Sequence, residues 1–336
     1  MWGRSGARSP PCQLKVAVTL EGIGLSKHFP VSGGFTVGGV RGFIKAVDGV
    51  SVRVAEGETL GIVGESGSGK STLARLFLLL ERATAGSLLF DGKDARTWSR
   101  DDFKRYRRSV QAVFQDPYSS LNPRMRVGDI VAEPLPSGNG VSRAEVRGRV
   151  REILELVGLR RASVDLYPHE LSGGQRQRIA IARALVTYPK FIILDEPVSA
   201  LDVSIRAQIL NLLKNVQERL GLAYVMISHD LAAARYLSTR LAVMYAGKLV
   251  ETGECDAVYT EPLHPYTQAL LSAALPLHPS VRRQRIVLAG EVPNPMSPPT
   301  GCRFHPRCPQ AMPHCGSQEP EWKEVRPGHY TACHLY

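Results

Sequence analysis

The segment Gly64–Ser71 constrains the fold of this chain more than any other. It reads Gly-Glu-Ser-Gly-Ser-Gly-Lys-Ser and lies between an apolar strand candidate, Leu60–Val63, and a helix-forming run, Ser71–Leu80. Strand, loop and helix in this order are the context in which such a loop binds phosphate. Its glycines let backbone N–H groups turn toward the phosphates, and the helix directs the positive end of its dipole at them. The segment therefore predicts an α/β domain that binds a nucleotide.

Individual contacts can be assigned within this loop. Lys70 is expected to reach the β- and γ-phosphates, and Ser71 to hold Mg²⁺. The complete set of expected nucleotide contacts here is Gly64, Ser66, Gly67, Gly69, Lys70, Ser71 and Thr72.

A second anion-binding motif lies at Leu171–Gln175, which reads Leu-Ser-Gly-Gly-Gln. Ser172, Gly173 and Gly174 are expected to open a helix over Gln175–Val186. They would present a hydroxyl, free N–H groups and the positive end of a helix dipole. A plain capped helix is the structural alternative.

The third motif is acidic. Asp195 and Glu196 follow the apolar strand candidate Phe191–Leu194. Phosphoryl transfer depends on positioning and charge neutralisation, so Asp195 is expected to bind Mg²⁺ through water. Glu196 is the candidate general base for the attacking water. Taken alone, the pair is equally typical of an acidic exit from a strand.

With these three motifs in order, the chain resembles the nucleotide-binding subunits of ABC importers from about Leu25 to the C-terminus. Within that family it resembles the ATP-binding subunits of dipeptide and oligopeptide permeases. The closer resemblance rests on Phe114–Pro123, on Tyr167–Glu170 before the second motif, on Leu263–Thr267 (Leu-His-Pro-Tyr-Thr), and on a cysteine-bearing tail.

The resemblance implies roles for four further residues. Gln115 would sense the γ-phosphate and Mg²⁺, and His229 would bind the γ-phosphate and orient the water. Asp202 would couple two sites across a dimer. Phe29 occupies the position where the family usually stacks a tyrosine on adenine. The alternatives are a polar loop residue for Gln115, an exposed strand-end side chain for His229, and core packing for Phe29.

The resemblance also implies that one chain is half of an active site. In the family, the residues matching Ser172, Gly173, Gly174 and Gln175 clasp the ATP held by the opposite subunit. A face-to-face dimer with a paralogue or a second copy is therefore expected.

The expected fold is α/β, with a P-loop NTPase (RecA-like) core and a mixed sheet. An ABC ATPase domain is expected over 25–253, with its core in 25–115 and 188–253 and a helical insertion subdomain in 116–187. A small Cys-rich C-terminal extension would occupy 254–336, and 1–24 would be a disordered lead-in.

Composition limits the partners. The 336 residues contain no run of the ~18 apolar residues that a membrane helix needs, and the lead-in lacks the apolar core of a secretory signal. We expect a peripheral protein on the cytoplasmic face of the cell membrane. The formal net charge of +11 permits nucleic-acid binding, but the basic residues are spread out, which favours a solvated surface and no nucleic-acid partner.

Four cysteines, Cys302, Cys308, Cys315 and Cys333, crowd into the C-terminal tail. Such grouping in a cytosolic chain favours metal over disulfides. The spacing lacks the paired C-x₂-C of common zinc sites. Some resembling tails hold a [4Fe–4S] cluster, which needs four thiolates. Another metal and reduced thiols are the alternatives, with His305, His314 and His334 as other ligands. No nucleotide contact is expected in this tail.

The expected function is that of an ATP-binding and ATP-hydrolysing subunit that powers peptide import. Its partners would be two transmembrane permease subunits and, through the complex, an extracytoplasmic solute-binding protein. The alternatives are an importer ATPase for nickel or another small solute, a soluble ABC ATPase acting on nucleic acid or ribosomes, and a regulatory iron–sulfur module with a vestigial ATPase.

Overall fold

The computed structural model describes residues 18–32, 40–116, 120–135, 142–273 and 286–336. Residues 1–17 of the predicted lead-in and residues 117–119 of the permease-like motif lie outside the described residues. Within the described residues, no helix is both long and apolar enough to span a bilayer.

The strands and helices are numbered here in chain order. The strands are β1 (Thr19–Ser32), β2 (Val40–Ala55), β3 (Thr59–Val63), β4 (Ala85–Phe90), β5 (Lys93–Asp94), β6 (Val110–Val113), β7 (Phe191–Asp195), β8 (Ala223–Ser228), β9 (Arg240–Tyr245), β10 (Lys248–Glu254), β11 (Trp322–Arg326) and β12 (His329–Ala332). The helices are α1 (Lys70–Phe77), α2 (Arg100–Ser109), α3 (Val127–Ala132), α4 (Arg143–Leu156), α5 (Gly173–Leu185), α6 (Val203–Leu220), α7 (Leu231–Leu237), α8 (Cys255–Thr260) and α9 (Pro265–Ala273).

The main sheet is mixed, as predicted. Its order is β11-β12-β10-β9-β3-β8-β7-β6. The five strands from β9 to β6 are parallel, whereas β10, β12 and β11 add antiparallel strands at one side. Strands β3 and β8 are buried at every residue, which explains their nearly continuous apolar sequences.

Both faces of this sheet are covered. Ile192 and Leu194 of β7 pack into a core with the helices α3 to α6. Phe191 and Ile193, which point to the opposite face, pack into a second core with α1 and the strands β1, β2 and β4. Because successive side chains of a strand alternate between faces, this one strand joins the two cores.

A second, antiparallel sheet has the order β2-β1-β4-β5. Its strand β1 begins at Thr19, so the predicted lead-in of residues 1–24 extends too far into the chain. Leu20 is fully buried and lies opposite Val54 and Phe90 of the neighbouring strands. The first strand therefore begins before Leu25, the residue from which the family resemblance is recognised in the sequence.

The region predicted as a helical insertion contains α3, α4 and α5 and no strand among its described residues. Ser142 caps α4 through a capping box with Glu145. Gly158, with φ 76°, follows the end of this helix, where glycine is favoured because it adopts the left-handed conformation without strain.

The C-terminal extension packs against strands β9 and β10 of the main sheet. Tyr266 of α9 and the fully buried Phe304 share a core with Tyr245 of β9. Strand β12 pairs with β10, and β11 pairs with β12. The extension therefore continues the main sheet of the ATPase domain.

Candidate active site

The phosphate loop lies between β3 and α1 in tight contact with neighbouring backbone. Gly69 has φ 103°, and a Cβ atom at this position would lie 2.1 Å from the carbonyl oxygen of Ala46. A Cβ at Gly64 would lie 2.2 Å from the carbonyl oxygen of Met244. Only glycine fits at these two positions. Ser66 and Gly67 are exposed at the loop, and Thr72 is half-buried in the first turn of α1.

Lys70 turns back onto the loop. Its Nζ donates hydrogen bonds to the carbonyl oxygens of Gly64 and Glu65, both at 2.8 Å, and to Oγ of Ser68 at 3.3 Å. Burial lowers the pKa of Lys70, and the carboxylates of Glu196, Asp195 and Glu65 oppose that shift. The ammonium group is thus held at the centre of the loop by backbone acceptors.

The strand register brings the acidic motif to this loop. In the parallel sheet, Val63 lies opposite Ser228, and Asp195 lies opposite Ile227. The carboxyl ends of β3, β7 and β8 therefore meet at one edge, where ligands bind in such sheets.

Ser71 and Asp195 meet at that edge. Oγ of Ser71 donates a hydrogen bond to Oδ1 of Asp195 at 3.2 Å. Burial raises the pKa of Asp195, and the hydrogen bond from Ser71 opposes the shift. A hydroxyl and a carboxylate oxygen are the hard oxygen donors that Mg²⁺ takes, so the pair predicted to hold Mg²⁺ fits that ion.

Glu196 and His229 also lie together. Oε1 of Glu196 is 2.9 Å from Nδ1 of His229. Glu196 has φ 50°, an uncommon conformation for a residue with a side chain. Gln115 is exposed shortly after β6, and β6 pairs with β7 so that Val113 lies opposite Leu194. Gln115 therefore follows its strand at the same sheet edge as Asp195.

Phe29 lies in β1, opposite Ile44 of β2. Its ring is half-buried, and the ammonium group of Lys27 lies 4.8 Å from the ring centroid. This aromatic position belongs to the small antiparallel sheet. Its assignment to adenine stays a prediction.

The second motif opens α5 as predicted. Ser172 is the N-cap: its Oγ accepts a hydrogen bond from the N–H of Gln175, and the side chain of Gln175 accepts one from the N–H of Ser172. Gly174 packs against α6, because a Cβ there would lie 2.7 Å from Cγ2 of Ile205. Asp202 is exposed at the N-cap of α6, without a side-chain capping bond.

Two contacts of this region have no signal in the sequence motifs. Gln177 is buried in α5, and its Nε2 donates to the carbonyl oxygen of Pro197 at 2.7 Å. Arg206 of α6 forms an ion pair of 2.6 Å with Asp230, which follows His229. These contacts tie the second motif and the Asp202 loop to the segments that carry Glu196 and His229.

The four tail cysteines are brought together. Cys302, Cys308, Cys315 and Cys333 are free thiols that line one small cavity. Burial raises the pKa of Cys302 to about 11, and the neighbouring thiols add to the shift. Ring nitrogens of His314 and His334 and Sγ of Cys315 lie within 4.8 Å of one another. The cavity is thus lined by four sulfur donors and by three histidines, His264, His305 and His334.

Two family models match the chain. The model of the ABC transporter family matches residues 47–199, and that of the oligopeptide/dipeptide transporter C-terminal region matches residues 250–315. The oligopeptide transport ATP-binding protein AppF of Bacillus subtilis is 51% identical over 94% of this chain and 97% of its own length. The di/tripeptide transport ATP-binding protein DppF of Pseudomonas aeruginosa is 48% identical over 92% of this chain and 95% of its own.

Solved structures of ABC cassettes share the fold. The dimeric post-hydrolysis cassette MJ0796 bound to ADP and phosphate has a TM-score of 0.61, with 30% identity over 70% of this chain and 98% of that chain. CbiO1 from Clostridium perfringens has a TM-score of 0.61, with 30% identity over 72% of this chain and 90% of that chain. The chain belongs to the ABC transporter family, and within it to the ATP-binding, ATP-hydrolysing proteins of the oligopeptide and dipeptide transport type.

Proposed function

We propose that this chain binds and hydrolyses ATP to power the import of dipeptides or oligopeptides through an ABC transporter. The observation that carries the proposal is the meeting of Lys70, Ser71, Asp195, Glu196 and His229 at one sheet edge. The named peptide-transport relatives and the matching C-terminal region support the choice of substrate.

Each side chain has a separate task in the proposed hydrolysis. Lys70 binds the β- and γ-phosphates, and Glu196 accepts a proton from the attacking water. His229, held against Glu196 at 2.9 Å, binds the γ-phosphate and keeps the base oriented. Gln115 reports the state of the γ-phosphate to the helical insertion.

Mg²⁺ would be held by Ser71, Gln115 and, through water, Asp195. When bound, it neutralises charge on the phosphate oxygens. The 3.2 Å contact between Ser71 and Asp195 supports this assignment, because side chains this close can share one ion.

A dimer would complete the site. Ser172, Gly173, Gly174 and Gln175 would bind the ATP of the opposite subunit, and Asp202 would couple the two sites. The partner is a paralogous subunit or a second copy. Two permease subunits would hold the pair at the cytoplasmic face of the membrane, with a solute-binding protein delivering the peptide from outside.

Transport assays test this function directly. The chain would be reconstituted in vesicles with permease subunits and a solute-binding protein of the oligopeptide or dipeptide transport type. We expect ATP-dependent uptake of a labelled dipeptide or oligopeptide. Uptake of nickel alone would identify the alternative importer, and ATPase activity stimulated only by nucleic acid would identify the soluble alternative. Either result would contradict the proposal.

We propose further that Cys302, Cys308, Cys315 and Cys333 ligate a [4Fe–4S] cluster. Their shared cavity has the four thiol donors that such a cluster takes. Cluster binding would require all four cysteines to be deprotonated. Because burial raises the pKa of Cys302, Cys308 and Cys333, the free energy of metal binding must offset the cost of deprotonation. The cluster would fasten Pro293–Tyr336.

Anaerobic purification tests the cluster. We expect brown protein with iron and sulfide in equal amounts, and Cys308→Ser should lose the colour and open the tail to protease. Cys255→Ser is the matched control, because this buried cysteine lies in α8, outside the cavity. Colourless protein with stoichiometric zinc would assign the thiols to another metal, and metal-free protein with a protease-resistant tail would rule out a metal role.

A further inference from the structure

An ion pair joins the C-terminal extension to the phosphate loop. The guanidinium of Arg307 contacts both carboxylate oxygens of Glu65, with Nη1 at 2.8 Å from Oε2 and Nη2 at 3.2 Å from Oε1. The side chain of Arg307 is 9% exposed and that of Glu65 is 28% exposed. A two-pronged, largely buried pair of this kind is geometrically specific, unlike an exposed surface pair.

A second contact from the extension reaches the same loop residue. The hydroxyl of Tyr266 accepts a hydrogen bond from the backbone N–H of Glu65 at 2.8 Å. The ring of Tyr266 is fully buried against Tyr245 at 4.6 Å and Phe304 at 5.4 Å between centroids. The position of the Tyr266 hydroxyl is therefore fixed by ring packing against Tyr245 of β9 and Phe304 of the extension.

These contacts orient the peptide on which the lysine rests. The carbonyl of Gly64 accepts from Nζ of Lys70 at 2.8 Å, and the N–H of Glu65 belongs to the same peptide unit. Since a trans peptide is planar, its C=O and N–H point in opposite directions. Tyr266 thus holds one side of the plane while Lys70 holds the other.

The charge of Arg307 matters as well as its geometry. Glu65 is the second residue of a loop built to hold phosphates, and a free carboxylate there would repel them. The paired guanidinium neutralises that carboxylate. Both effects favour phosphate binding, one through orientation of the loop and the other through charge.

We propose that Arg307 and Tyr266 are positioning residues of the ATP site, acting through Glu65. The extension then supports the phosphate loop of its own chain indirectly, which is compatible with the expectation that the tail contacts no nucleotide. The sequence could not reveal this link, because Glu65 and Arg307 are 242 positions apart. The inference rests on the proposed ATPase function.

The test uses the full-length protein and measures the Kd for ATP, the KM for ATP and kcat separately. Arg307→Gln leaves the Glu65 carboxylate unpaired beside the phosphates, so we expect Kd and KM to rise about tenfold. At saturating ATP, kcat per active chain should stay within about twofold, because no described residue of the extension bonds to Glu196 or His229.

The double variant Glu65→Gln with Arg307→Gln distinguishes action through Glu65 from a general defect. Removing the unpaired carboxylate should restore Kd to within about threefold of the parent value. The proposal would be overturned if the Kd for ATP of the double variant rose as much as, or more than, that of Arg307→Gln alone. A parent-like Kd for Arg307→Gln would also overturn it.

Tyr266→Phe covers the case in which Arg307→Gln disturbs folding, since it retains the ring and removes only the hydroxyl acceptor. We expect Kd to rise about threefold to tenfold, and an unchanged Kd would contradict the orienting role. Arg326→Gln is the matched control, because Arg326 pairs with Glu261 within the extension. A parent protein that fails to bind ATP would refute the proposed function instead of this link.

Discussion

At the scale of single residues, the orientation of Glu196 is constrained by its backbone conformation and by the contact of its side chain with His229. Its φ of 50° is costly for a residue with a side chain and persists only where the surroundings fix it. His229 contacts its carboxylate, whereas Ser71 contacts Asp195. The proposed base and the proposed metal ligands are therefore separate side chains that can be changed one at a time.

Replacing Glu196 with Gln should suppress turnover while ATP still binds. The amide keeps the shape of the side chain but cannot accept the proton, so we expect kcat to fall about 10²- to 10⁴-fold. The nucleotide-bound dimer should persist, which gel filtration with ATP would detect. Lys70→Ala is the contrasting variant, because it should weaken ATP binding itself. Parent-like hydrolysis by Glu196→Gln would refute the assignment.

Residues inside motifs could be predicted from the sequence, because fixed spacing determines which neighbours they meet. Lys70 follows β3 and Asp195 ends β7, as the apolar runs before them predict, whereas the role of His229 is expected only from the family resemblance. The bond from Gln177 to Pro197 could not be predicted, since a glutamine inside a helix has no local pattern that reveals a distant carbonyl acceptor. Roles such as adenine stacking by Phe29 depend on a ligand and stay predictions.

At the scale of elements, one buried carboxylate fastens the extension to the main sheet. Glu251 of β10 is fully buried and accepts hydrogen bonds from the N–H groups of Leu263 and His264, both at 2.8 Å. Nε2 of His329, at the start of β12, lies 2.7 Å from the same carboxylate. Burial lowers the pKa of His264 to about 4, so its neutral ring can accept the N–H of Tyr266.

Replacing Glu251 with Gln should loosen the extension. The amide supplies one acceptor oxygen where the carboxylate supplies two, so at least one buried donor loses its partner, at a cost of about 1–3 kcal/mol. We expect a lower urea midpoint and faster proteolysis after Glu254. Glu254→Gln is the control, because that side chain is exposed on the same strand. Equal resistance of both variants to protease would contradict this role of Glu251.

Strands β3 and β7 could be predicted, because their sequences are short apolar runs that lead into a motif. The two strands of the extension could not. Strand β11 reads Trp-Lys-Glu-Val-Arg and is largely exposed, and β12 is only His-Tyr-Thr-Ala. Their position comes from pairing with β10, a tertiary interaction that single-sequence patterns do not contain.

At the scale of the whole molecule, the two halves of the proposed composite site lie on different parts of the described chain. The phosphate loop belongs to the core, whereas Ser172 caps α5 in the helical insertion. The side chains of Ser172 and Asp202 are exposed. Exposed groups at the N-terminus of a helix leave N–H groups available to a ligand supplied by another molecule.

Mixing two defective variants tests the composite site. Ser172→Arg should block closure on the partner's ATP, because it places a bulky group at the helix start, and Lys70→Ala should weaken binding in its own loop. In a mixed homodimer, one site combines the intact Lys70 of the first variant with the intact Ser172 of the second. We therefore expect partial nucleotide-dependent dimer formation in the mixture, measured by gel filtration, and none in either variant alone. A mixture that behaves like its separate components would contradict the composite site or the homodimer.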